Sequence, residues 1–407
     1  MSKRFSKVMP FCLVLTLLII SLAILFTACN DISDDKVFSS DGIEFTLNSG
    51  NYEVTGYNGN AKYVVIPSTY QSRKVTEIAD GAFYKCSEIV EIKIEDSIYE
   101  IGKSAFSGCT SLQSVSLPDY LSEIGDYAFS GCTSLQSVKI NRGTIIGNYA
   151  FNNCASLSSA TIGSSIIRSY AFANCTKLTD ITLSDNVRFL HGYAFDNTAW
   201  YNNQPDGLVY AGKIAYKYKG IMPKNASISI KEGTIAVADY AFSHCDSLAK
   251  ITFPNSLERI DDYAFEYCSS LTSVNFPEKV SDIGAFAFWF CAGLKNVVIP
   301  ESLEYIGSGA FVKCTNITAV KWRAIDCIGE HDEGFPIFSW CTNLSMIYLY
   351  KKTKHIPGLL NLLESEDSIF MNEKCADITF DGTKSEWDKA DYYVRRNCKI
   401  ICLDGNY

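Results

Sequence analysis

Histidine is scarce, with four in a chain of 407 residues. It is the side chain most used for proton transfer and metal ligation near neutral pH, so chemistry of that kind has few places to stand. Long basic runs are missing, since Lys3-Arg4 with Lys7 and Lys351-Lys352 with Lys354 are short, and 36 basic against 45 acidic side chains give a net charge of −9. A chain of that sign without a basic stripe is not built to hold nucleic acid. No Gly-x-Ser-x-Gly elbow, His-Glu-x-x-His pair, phosphate loop or dinucleotide fingerprint occurs, so the motif-bearing hydrolase, zinc-protease, nucleotidase and dehydrogenase plans are excluded. Close cysteine pairs facing a second pair, as a zinc site requires, are also missing. The acids of Glu330-His331-Asp332-Glu333 lack the alternating oxygen ligands of a calcium loop, and this tetrapeptide is expected to be a solvated link. The expectation is a protein with no catalytic residue, metal or cofactor.

Apolar material is plentiful. With 47% hydrophobic, 13% aromatic and 20% charged residues the chain is too apolar for disorder. Its length exceeds the roughly 250 to 300 residues at which a single globular core stops growing, a limit that repeats evade.

The amino terminus reads as a secretion leader. Lys3, Arg4 and Lys7 precede an almost wholly apolar stretch from Val8 to Phe26. A permanent helix needs roughly 20 such residues, so an uncleaved anchor is an alternative, as is ordinary cleavage. Thr27-Ala28 stands directly before Cys29, and this resembles the bacterial lipobox, in which cleavage leaves a lipidated cysteine as the first residue; Phe26 departs from the usual Leu, Val or Ile. The resemblance implies a leader over 1–28, lipid on Cys29 and a polar tether over 29–42.

The rest is a repeat. Ala-Phe recurs at Ala82, Ala105, Ala128, Ala150, Ala171, Ala194, Ala241, Ala264, Ala287 and Ala310, at intervals of 21 to 23 residues apart from one of 47. Cysteine follows the Phe by three positions in each of these units but one, where Thr198 stands, and a divergent unit at Ile337-Phe338 adds Cys341. An apolar side chain comes three residues after each cysteine, and alternating apolar pairs such as Val138 with Ile140 mark a short strand of period 2. A unit this small cannot bury its apolar side alone, and stacked units can.

The run Ile-Gly-Asp-Tyr-Ala-Phe-Ser-Gly-Cys-Thr-Ser-Leu-Gln-Ser-Val at 124–138 resembles the BspA-like class of bacterial surface leucine-rich repeats, and the resemblance covers residues 43–407. The fold expected is an α+β repeat solenoid, a leucine-rich repeat with one short strand and a turn or short helix per unit of about 23 residues. Its parts would be a capping half-repeat over 43–74, repeats over 75–369 interrupted by a loop and hairpin at about 197–220, and a terminal cap over 370–407 with Trp387 as a plug. The family resemblance implies adhesion-like binding to proteins at the cell surface.

The repeat cysteines are expected to be buried small hydrophobes in the reduced state, since parallel side chains in a ladder point the wrong way for relaxed disulfides. A bridge from Cys375 to Cys398 or Cys402 in the cap is left open.

Two surfaces are candidates for binding. The outward strand positions form a polar face that includes Lys93, Lys139, Lys250, Lys321 and Tyr348, and the insert carries Trp200, Tyr201, Tyr210, Tyr216 and Tyr218. Solenoids place variable insertions at binding faces. The chain is therefore expected to be a monomeric, non-catalytic, lipid-anchored recognition protein on the extracellular face of a bacterial envelope, with a host or neighbouring-cell protein as partner. A glycan-capturing lipoprotein stacking sugars on the insert and a passive envelope spacer are the alternatives.

Overall fold

A computed structural model describes residues 39–329, 335–354, 377–388 and 399–406. The leader, Cys29, most of the tether, Glu330-His331-Asp332-Glu333, Cys375 and Cys398 lie outside the described residues.

From Ser39 onward the described residues form a β-solenoid of stacked rungs with almost no helix. Each regular rung contributes two strands. A four-residue strand such as Ser137–Ile140 pairs in parallel with Ser159–Ile162 of the next rung. A two-residue strand such as Ile145–Ile146 pairs with Glu123–Ile124 and Ile166–Ile167. Alternation on the longer strands is as expected, with Val138 and Ile140 buried and Ser137 and Lys139 exposed. The single strand per unit expected from the sequence becomes two, because a two-residue strand is too short to show a period.

The helical part of the α+β expectation does not hold. Ala-Phe sits in a turn bracketed by left-handed residues. Ser104, Tyr127, Tyr149 and Tyr170, each just before the Ala, have φ of 56° to 60°, and Lys85, Asn153, Asn174 and Lys313, two residues after the Phe, have φ of 60° to 61°. A right-handed helix cannot pass through either position. The turn nevertheless pairs between rungs: the Phe83 amide donates to the Ala105 carbonyl at 2.7 Å, Phe106 to Ala128 and Phe129 to Ala150. Backbone polar groups on the turn side are thus satisfied without helix.

Inside, the phenylalanines form a stacked column. Ring centroids from Phe83 through Phe172 lie 4.9 to 5.1 Å apart, and the spacing resumes from Phe242 through Phe338 at 5.0 to 5.3 Å. Beside them runs the cysteine column, free thiols throughout the described residues and buried except for Cys86. Eight of these thiols do more than fill space. Cys132 Sγ donates to the Phe106 carbonyl at 3.2 Å, and Cys109, Cys154, Cys175, Cys268, Cys291, Cys314 and Cys341 make the equivalent bond to the preceding rung. Burial pushes the Cys109 thiol up to about 12 and the Cys132 thiol well above its ordinary value, so both are protonated and inert at neutral pH.

Thr198, the exception in that column, gives up the bond to the preceding rung and donates Oγ1 to the Phe195 carbonyl of its own rung at 2.7 Å. Its hydroxyl also accepts from the Tyr201 amide and caps the one-turn helix Ala199–Asn202 that starts the insert. At the other end, Lys384–Trp387 is a helical turn with a capping box, and Trp387 is buried against Phe380. Cys402 beside it is a buried free thiol.

Candidate binding surface

The residue before each Ala is forced outward by its left-handed backbone. Glycine is the usual occupant of such a position, because a side chain there costs about 1 to 2 kcal/mol. Here it is mostly tyrosine, and stacking offsets the cost. Tyr127, Tyr149, Tyr170, Tyr193, Tyr240, Tyr263 and Phe286 form a continuous row on the turn face, with centroids 4.8 to 5.3 Å apart. Such ring pairs contribute about 0.5 to 1.5 kcal/mol each beyond the area they bury. Burial first, then neighbouring tyrosines, raises the Tyr170 and Tyr193 hydroxyls above their ordinary value, so both stay uncharged at neutral pH.

A shorter row runs beside the first. His244 stacks on Tyr267 at 4.6 Å and Tyr267 on Phe290 at 5.1 Å, with the Lys313 ammonium 5.7 Å from the Phe290 ring. Trp289 lies between the rows, 5.1 Å from Tyr267 and 5.8 Å from Phe286. Phe290 is 36% exposed and Tyr263, Tyr267, Phe286 and Trp289 are half-buried. Together they make a contiguous aromatic patch on the turn face. The signal was present in the sequence as Tyr-Ala-Phe repeated from Tyr127 to Tyr263, but only the left-handed turn shows that these rings face out.

The insert behaves differently from its sequence. Tyr216 is 1% exposed and has no ring face to offer a ligand. Its hydroxyl accepts from the Phe195 amide at 2.9 Å, taking the place of the next-rung alanine carbonyl that the Phe172 and Phe242 amides find, and donates to Asp196 at 3.2 Å. On the other side the Tyr218 amide donates to the Ala241 carbonyl at 2.7 Å. Trp200 and Tyr201 pack against Tyr216, and the Tyr210 hydroxyl accepts from the Lys231 amide. The hairpin Gly207–Ala211 with Ile214–Lys219 is itself part of the stack, since Ile214–Lys219 pairs in parallel with Ala236–Val237. The aromatic residues of the insert chiefly splice two runs of rungs.

The strand-face lysines do not converge. Lys93 pairs with Glu95 at 2.9 Å, Lys139 is exposed on a rung beyond Ser116, and Lys250 lies opposite Ser227 past the insert. Lys321 and Tyr348 do meet, opposite each other in register with the ammonium 5.9 Å from the ring. They line a groove of about 390 Å³ with Tyr350, Asp381 and Leu403.

On the two-residue-strand side, Glu53, Glu77, Glu100 and Glu123 stand in register. Glu53, Glu77 and Glu100 line an acidic cleft of about 400 Å³ with Asp80. Burial and the neighbouring acids raise the Glu53 and Glu100 carboxyls above their usual range, as expected of like charges on adjacent strands. Among the described residues no group of His, Cys, Asp and Glu could hold a metal ion, and no helix is long and apolar enough to cross a membrane.

Paired parallel strands, one internal aromatic column and a period near 23 residues define a leucine-rich-repeat solenoid. The chain belongs to the BspA type leucine rich repeat family, whose profile matches in six copies over residues 58–202 and 215–331. No curated protein matches it. Similar solved structures include a leucine rich cell surface protein from Faecalibacterium prausnitzii, 23% identical over 88% of this chain and 98% of that one, with a TM-score of 0.38. A leucine-rich repeat protein from Bacteroides ovatus is 23% identical over 85% of this chain and 100% of that one, TM-score 0.29. The pneumococcal vaccine antigen PcpA is 18% identical over 89% and 98%, TM-score 0.43.

Proposed function

We propose that this chain is a non-catalytic recognition protein, lipid-anchored through Cys29 on the outside of a bacterial cell and binding proteins of a host or neighbouring cell as a monomer. The observation that carries the reading is the aromatic turn face. Exposed apolar patches on soluble domains mark interaction sites, and Tyr and Trp are the residues most enriched where protein interfaces gain their affinity. Membership of a family typical of bacterial surfaces agrees with that placement. The glycan reading has less support, because the rings it needs in the insert are engaged with one another and with the stack. Binding of residues 30–407 to arrays of purified extracellular proteins and of glycans tests the choice: protein hits without glycan hits are expected, and glycan hits alone overturn it.

The anchor has its own test. In a bacterial host, Cys29→Ser is expected to abolish incorporation of labelled fatty acid and to move the protein from the membrane fraction to precursor or medium. Unchanged labelling and fractionation would show that the apolar leader stays as a helix.

A further inference from the structure

At one place in the solenoid both sheets stop. The four-residue strands end at Asp180–Leu183 and resume at Ala226–Ser229, and the two-residue strands end at Phe189–Leu190 and resume with the hairpin Gly207–Ala211 and Ile214–Lys219; neither break is bridged by strand pairing. The apolar core does cross, with Val209, Ala211 and Ile214 of the hairpin packed in one cluster with Leu190 and Phe195, and it divides only beyond the break. One cluster reaches Tyr216 and Ala238, and the other begins with Ala215, Ile230 and Val237.

Much of what crosses this break is charge. His191 Nδ1 lies 3.0 Å from Asp239 Oδ2, and the same oxygen accepts from the Gly192 amide at 3.2 Å. Asp239 is buried, and its other oxygen accepts from the Asp262 amide. Asp261 and Asp262 on the next rung add their charge to the field at the same histidine. Arg259 neutralises Asp261 at 2.8 and 3.2 Å, donates to the Arg188 carbonyl at 2.7 Å and lies over the Phe189 ring. Arg188 reaches back to Glu258 at 3.2 Å, and Lys213 with Asp185 and Lys217 with Asp196 tie the hairpin to the rung before it. With His191 neutral, three carboxylates face a single buried guanidinium; with it protonated, the cluster is closer to balance.

We infer that the insert junction is a seam closed by a protonation-dependent ionic clamp centred on His191 and Asp239, tight in mild acid and looser as the pH rises. Backbone pairing, which holds the other rungs together, is indifferent to pH; this cluster is not. The hydrogen bond to Asp239 raises His191 above its ordinary value, while burial and then Asp239 push Asp262 up to about 6. A histidine raised on folding contributes fully below about 6.5 and loses that contribution as the pH climbs through its folded value. A carboxyl raised on folding carries a penalty when ionised, relieved as the pH falls through about 6. Both groups act in the same sense. Tyr193 stacks on Tyr240 across the same seam, tilted by 39° where the other pairs of the long row are within 13°, so the clamp also decides whether that row runs on unbroken.

Hydrogen exchange of the full chain tests this, with rates corrected for intrinsic pH dependence and read at about pH 5.5 and about pH 8, on either side of the histidine range. The Gly192 and Phe195 amides are expected to lose protection at the higher pH by about threefold to tenfold relative to Phe129 and Phe265 in the uninterrupted stacks. His191→Gln, which keeps a donor for Asp239, should remove most of that difference. A wild-type ratio that does not move with pH overturns the inference, and so does a pH dependence that survives intact in His191→Gln. Should that variant fail to fold, the wild-type ratio decides alone.

Discussion

Phe151→Ala is expected to lower the stability of the chain by about 3 to 5 kcal/mol, the usual cost of emptying a fully packed aromatic site. Phe151 has no exposure and lies between Phe129 and Phe172, with both centroids at 5.1 Å. In a stack each rung leans only on its neighbours, so a cavity at one rung weakens two interfaces together. Guanidinium denaturation followed by circular dichroism reads the loss as a lower midpoint. Tyr149→Ala on the outer row removes a ring from a half-exposed stack and should cost far less, about 0.5 to 1.5 kcal/mol per lost ring contact. Equal losses for the two substitutions would mean that the inner column is not the core of the rung.

The second large effect is deletion of residues 197–220. Read as sequence, this is a hairpin added to a regular stack, and removing it should leave a folded solenoid. The structure reverses that expectation. Deletion takes away Tyr216, whose hydroxyl satisfies the Phe195 amide, and the strand Ile214–Lys219 that supplies the partner of Ala236–Val237. An unsatisfied buried amide costs about 1 to 3 kcal/mol, and the bare strand edge and apolar rung add to it. The deleted chain is expected to lose its single cooperative thermal transition, either by failing to fold or by melting in two parts. One transition at the wild-type temperature would restore the insert to the status of an appendage.

Much of the fold was legible because a repeat states its pattern many times over. The Ala-Phe and cysteine columns mark the buried face of each rung, and the alternation at Val138 and Ile140 its longer strand. The two-residue strands were hidden, since Ile145–Ile146 is two adjacent apolar residues with no period to read. Binding residues were harder. Tyr127 and its successors look like ordinary turn residues until the backbone at φ near 60° turns them outward. Tyr216 and Tyr218 look like a ligand cage until the Tyr216 hydroxyl is seen in place of the missing carbonyl and the Tyr218 amide bonded to the next rung. Charge on the strand face gave no focus, because Lys93, Lys139 and Lys250 occupy separated rungs, and only Lys321 and Tyr348 share one spot.

The aromatic turn face as the recognition surface is most directly tested by comparing two surface variants for binding to an array of purified cell-surface and extracellular proteins. One variant carries Tyr267→Ser, Trp289→Ser and Phe290→Ser; the other carries Lys139→Ser and Lys250→Ser. With unfolding midpoints first shown to be close to wild type, the aromatic variant should lose binding tenfold or more, about the 1.4 kcal/mol or greater expected of a hot spot, while the lysine variant binds as wild type does. Undiminished binding by the aromatic variant together with a loss in the lysine variant would contradict the account and assign recognition to the strand face.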